Sequence, residues 1–81
     1  MIYDLKVRAS TGGGPYKIVA TGRRHADGTI VFPTVSEEHP IPTELLDALN
    51  RELRELGRPM GSVKRTVGNT AYEINFARGG E

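Results

Sequence analysis

The sequence predicts an α+β fold: a single antiparallel sheet of about five strands, in the order β-β-β-α-β-β, with one amphipathic helix packed on one face. Three observations carry this. Residues 42–57, PTELLDALNRELRELG, place leucines on one helical stripe. The segments on either side alternate apolar and polar residues. Two turn signals, Asp27-Gly28 and Gly68-Asn69, each lie between alternating runs, which makes the joined strands antiparallel. A chain of 81 residues fits one domain, expected over 1–77, with 78–81 as a flexible tail.

The first strand is expected over Met1 to Ala9. Met1, Tyr3, Leu5, Val7 and Ala9 share one face, and Ile2, Asp4, Lys6 and Arg8 share the other. Ser10 to Pro15, with Gly12, Gly13 and Gly14 at its centre, reads as a flexible loop. Tyr16 to Arg24 is the second strand. Simple alternation turns Tyr16, Ile18 and Ala20 inward and Lys17, Val19, Thr21 and Arg23 outward. Thr29 to Val35 is the third. A two-residue Asp27-Gly28 turn pairs Arg23 with Phe32 and Ala20 with Val35, which sends Ile30 and Phe32 outward. A one-residue bulge reverses that choice. Pro33 marks this strand as an edge. Residues 36–41 form an acidic link broken by Pro40.

In the helix, Leu45, Leu46, Leu49, Leu53 and Leu56 fall on a stripe about 100° wide. Charged side chains fill the opposite side. Either Thr43 is the N-cap or Pro42 the first helical residue. Gly57 suits a left-handed stop, and Pro59 forbids continuation. After it, Ser62 to Val67 and Thr70 to Ala77 form a hairpin around Gly68-Asn69. Its register pairs Val63 with Ile74, Lys64 with Glu73 and Arg65 with Tyr72.

Composition narrows the function. The absence of cysteine removes disulfides, thiolate zinc sites and a cysteine nucleophile. No apolar run approaches the roughly 20 residues that span a bilayer, and the first residues alternate too strictly for a signal peptide. The expectation is a cytoplasmic protein without membrane contact. His25 and His39 have no metal-motif spacing with the nearby acids. The serines lack a nucleophile context, and the Gly12–Gly14 loop joins two strands rather than a strand to a helix, unlike a phosphate loop. The chain therefore reads as non-enzymatic, with no cofactor and no metal.

The net charge of +1 is unevenly spread: residues 1–35 carry +3, residues 36–57 carry −4 and residues 58–81 carry +2. The strands are basic and the helix is acidic. On the outer sheet face, Lys6, Arg8, Lys17 and Arg23 surround Ile2, Val19 and Phe32 (or Val31 in the bulged register). An apolar centre inside a charged rim suits a protein partner or self-association as a homodimer. The same basic face, with one aromatic ring, suits nucleic acid.

No motif is specific enough to assign a family. Arg78-Gly79-Gly80 after a strand resembles the end of ubiquitin-like modifiers, and the final Gly-Gly-Glu resembles prokaryotic protein tags; that likeness implies a modifier. The three-strand meander before the helix departs from the ubiquitin order, which has two. A basic meander followed by a helix resembles sheet-reading DNA-binding domains of plants and of integrases, whose Arg/Trp-rich strand motifs are missing here. In size and architecture the chain resembles small phage or mobile-element proteins that block a host or defence enzyme, anti-CRISPR proteins among them. That likeness implies a regulator or inhibitor acting by steric occlusion.

Overall fold

The computed structural model describes residues 2–35, 41–55 and 57–79. Their element order is β1 (Tyr3–Thr11), β2 (Lys17–Arg24), β3 (Ile30–Val35), α1 (Thr43–Glu55), β4 (Met60–Val67) and β5 (Thr70–Arg78). The strands form one antiparallel sheet in the order β3-β2-β1-β5-β4, with α1 on one face, as the alternation and the turns predict. The acidic link at 36–40, with His39, lies outside the described residues, as do Leu56 and the last two residues.

The central strand is β1, paired on both sides. Its odd residues, Tyr3 to Ala9, are buried under the helix, while Asp4 and Lys6 face away and are exposed. From β5, Tyr72, Ile74 and Phe76 join the same face, and Val63 comes from β4. The Tyr3 and Phe76 rings meet edge-on, centroids 5.9 Å apart and planes at 77°. Leu45, Leu49 and Leu53, one every four residues, close the core from above. Leu46 is part-buried at its margin.

The Pro42 carbonyl accepts the first helical hydrogen bond, from Leu46 N, so Pro42 takes the cap position and Thr43 the first turn. Gly57, at φ +59°, ends the helix and donates to the Leu53 carbonyl. The β4–β5 register is the expected one, and Gly68 at φ +62° supplies the first central position of its two-residue turn. Arg65 is exposed opposite Tyr72. Its guanidinium donates to the Lys64 carbonyl at 2.7 Å. Arg78 and Gly79, expected in the tail, are part of the described sheet region. Arg78 N donates to the Pro59 carbonyl and Gly79 N to the Ile2 carbonyl, which ties both residues to the sheet.

Two strands differ from simple alternation. In β2, Val7 faces Ala20 but Arg8 faces Ile18, so Val19 is an extra, bulged residue. The bulge turns Val19 into the core and puts Ile18 on the outer face, more than half exposed. It also sets Lys17 opposite Ala9, on the helix side of the sheet. In β3, the hairpin loop has three residues rather than two: His25 N bonds to the Thr29 carbonyl and Gly28 N to the His25 carbonyl. Arg23 therefore pairs with Val31, not Phe32. Farther along, Ala20 pairs with Val35 as expected, because Phe32 and Pro33 together oppose Gly22. Phe32 lies half-buried against the core, and Val31 takes the outer face.

Candidate partner-binding surface

The face of the sheet opposite α1 has no second layer among the described residues. Cross-strand pairing decides its membership. From β1 come Asp4, Lys6 and Arg8; from β2, Ile18, Thr21 and Arg23; from β3, Val31; from β5, Glu73, Asn75 and Ala77; from β4, Ser62 and Lys64. Of the residues the sequence assigns to a partner contact, Lys6, Arg8 and Arg23 are on this face. Val19, Lys17 and Phe32 are not: the β2 bulge turns Val19 and Lys17 to the other side, and the three-residue hairpin loop does the same for Phe32. Ile18 and Val31 replace Val19 and Phe32 as the exposed apolar residues, with Tyr16 beside them.

Glu73 gives this face its centre. It is 6% exposed although it lies on the open side. Arg8 Nε donates to Glu73 Oε1 at 2.9 Å, and Arg8 Nη2 contacts the same oxygen. Asn75 Nδ2 donates to that oxygen at 3.2 Å, and Lys64 Nζ lies 3.5 Å from Oε2. The Arg8 guanidinium also stacks over the Tyr16 ring, 5.4 Å from its centroid. The hydrogen bond from Arg8 is the largest influence holding the Glu73 carboxyl below its usual range, and burial opposes it. Arg8 is thus engaged from below by Glu73 and is not a free cation. The sequence pairs Lys64 with Glu73; the Arg8 contact depends on β1 lying beside β5, a long-range pairing.

This arrangement has a definite acid dependence. A carboxylate whose folded pKa is depressed contributes stability above its unfolded value, about 4.3, and loses it as the pH falls through the folded value. Glu73→Gln is expected to lower stability near pH 7 by about 1–2 kcal/mol, because Arg8 and Lys64 are both more than a third exposed and screened by water. That is a fall in melting temperature of about 5–15 °C. Melting curves of wild type and variant should converge on acidification below the folded value; a constant gap across pH would refute the assignment.

Beside Glu73 the face opens into a shallow concavity. The side chains of Leu5 and Phe76 turn to the core and Gly22 has none, so these three contribute backbone to its floor. Lys6, Arg23, His25, Val31 and Pro33 stand around it. Arg23 Nε lies 3.4 Å from Asp4 Oδ1, both side chains well exposed. His25 is exposed next to the hairpin loop, where Asp27 Oδ1 accepts a hydrogen bond from Thr29 N. That backbone bond is the first cause of a lowered Asp27 pKa.

The Gly12–Gly14 loop is held at several points. Gly12 N donates to the Asn69 carbonyl and Gly14 N to the Thr11 carbonyl. The Ser10 hydroxyl donates to the Gly14 carbonyl. The two hairpin tips therefore sit side by side at one end of the sheet, away from the concavity. No group of three or more His, Asp or Glu among the described residues is placed to hold a metal ion. No helix among them is long and apolar enough to cross a membrane. Comparison with protein-family models, with curated proteins and with solved structures gives no match.

Proposed function

We propose that this protein is a small non-enzymatic binding protein that regulates or inhibits a protein partner by covering part of it with the outer face of its sheet. One observation carries the reading: a five-stranded sheet is covered by a helix on one side, while the other side presents a backbone-floored concavity edged by Val31, Pro33, Lys6 and Arg23. Apolar contacts inside a charged rim are the usual anatomy of a protein interface. The cations at the rim favour a partner segment with an acidic residue next to an apolar one.

The alternative is nucleic acid on the same face. The charge distribution favours protein over a phosphate backbone. Arg8 is paired with Glu73, Arg23 with Asp4, and Lys17 stands on the other side of the sheet. A phosphate-binding surface needs several uncompensated cations.

The test uses immobilised wild-type protein and its Val31→Asp variant with lysate from the source cells, with and without nuclease. Val31 is exposed, so the variant keeps its fold. Expected is a stoichiometric protein partner, resistant to nuclease, whose retention falls about tenfold or more with Val31→Asp. Recovery abolished by nuclease would move the reading to nucleic acid. A partner held equally by both proteins would overturn the assignment of this face.

A further inference from the structure

We infer that the edge of β4, open among the described residues, pairs with the same edge of a second copy of this chain, antiparallel, about a two-fold axis at Val63. The backbone fixes which groups are available. Arg78 N bonds to the Pro59 carbonyl, and pairs in an antiparallel ladder alternate between bonded and non-bonded. The odd-numbered residues of β4 therefore bond to β5. The N–H and C=O groups of Met60, Ser62, Lys64 and Thr66 point away from the sheet. The Lys64 carbonyl confirms this: its partner is the Arg65 guanidinium at 2.7 Å, a side chain folded over the edge.

The edge has few of the usual defences against pairing. The β4–β5 register runs without a shift from Met60 to Val67, and no proline lies within β4. Lysine commonly guards an edge, but here the Lys64 charge faces Glu73 of its own sheet. The other edge is different. β3 contains Pro33 inside a bulge, which removes a donor and breaks the ladder.

Register decides the occupant. Pairing that keeps each helix on the same side of a continuous sheet requires residues of equal parity to face each other. With the axis at Val63, Ser62 faces Lys64 of the second copy, Met60 faces Thr66, and Gly61 faces Arg65. All four outward-pointing residues then join bonded pairs, giving about eight new hydrogen bonds. No like charges face each other directly: Lys64 lies opposite Ser62, and Arg65 lies opposite Gly61, beside the Arg58 guanidinium. Moving the axis to Lys64 would bring two lysines together. Moving it to Ser62 would leave Thr66 unpaired. Arg65 must release the Lys64 carbonyl and turn its side chain to solvent, because the Phe76 ring and the Arg58 guanidinium occupy the space over Gly61.

The interface is one strand deep, so the association is weak, with a dissociation constant on the order of 100 μM. The test is sedimentation equilibrium of wild type, Ser62→Lys and Ser62→Glu over a range spanning that value. Ser62 is exposed, so both variants fold, and thermal melting checks it. Ser62→Lys places like charges opposite Lys64 twice and should weaken the dimer about tenfold; Ser62→Glu places opposite charges there twice and should tighten it about tenfold. Should Ser62→Lys fail to fold, the Ser62→Glu result decides. A wild type that stays monomeric to millimolar concentration overturns the inference. So does a dimer indifferent to both changes, or one lost with Val31→Asp instead.

Discussion

Gly22→Val is expected to destabilise the protein by about 3 kcal/mol, a fall in melting temperature of about 12–24 °C. A Cβ at Gly22 would stand 2.1 Å from the Val31 carbonyl oxygen, 2.7 Å from a ring carbon of Phe32 and 3.0 Å from its Cα. Two of these three atoms are backbone, so no rotamer change relieves the clash. Relief requires β3 to move away from β2, which withdraws Phe32 and Ile30 from the core margin. Gly22→Ala should show much of the same loss, because the collision is with the Cβ itself. Chemical denaturation of the two variants gives the size. Hydrogen exchange should show new opening confined first to β3. Wild-type stability in Gly22→Val would mean that Phe32 and Pro33 do not oppose Gly22 as described.

Leu49→Ala is expected to cost about 3–5 kcal/mol. Leu49 is completely buried and lies between Leu45 and Leu53 in the row that joins the helix to the sheet. Its neighbours are fixed by β4 and β5 below, so the cavity collapses little. Against a total stability of about 4–12 kcal/mol for a domain of this length, that is a large share of the margin and a fall in melting temperature of about 12–40 °C. Leu46→Ala, at the margin, should cost about 1 kcal/mol. Thermal melts of both variants check the order; equal losses would mean that the helix presents a different face.

The parts of the fold legible in the sequence are those set by local rules. Strand β1 is bounded by core on one face and solvent on the other, so its alternation survives intact. The β4–β5 register follows from a turn that takes glycine in its first central position. Simple alternation fails in β2, and leaves the parity of β3 open, because both are set by partners far along the chain. Val19 and Ile18 are both apolar, and nothing local says which is the extra residue; pairing with β1 decides it. Asp27-Gly28 fits both a two-residue turn and the three-residue loop that forms. A usable signal was present in Gly22, a glycine inside a strand, which marks a bulge or a close approach. With Pro33 opposite, it indicates that Phe32 turns to the core.

The candidate surface was legible to the same extent. Lys6, Arg8 and Arg23 follow from the alternation of β1 and the outer end of β2. The pairing of Arg8 with Glu73 does not, because residues 8 and 73 meet only once β5 lies beside β1. A cation counted from sequence as available to a partner is thereby partly neutralised.

The unequal edges of the sheet also bear on solubility. A sheet that can be extended on both sides is a template for filaments, since each added copy presents a fresh edge. Here Pro33 and its bulge interrupt one side. Any growth through β4 uses up that strand in both copies and leaves the interrupted edges outermost. The association closes after one step. The protein can thus keep a long, straight outer strand without the hazard of open-ended polymerisation, and replacing Pro33 would remove that safeguard.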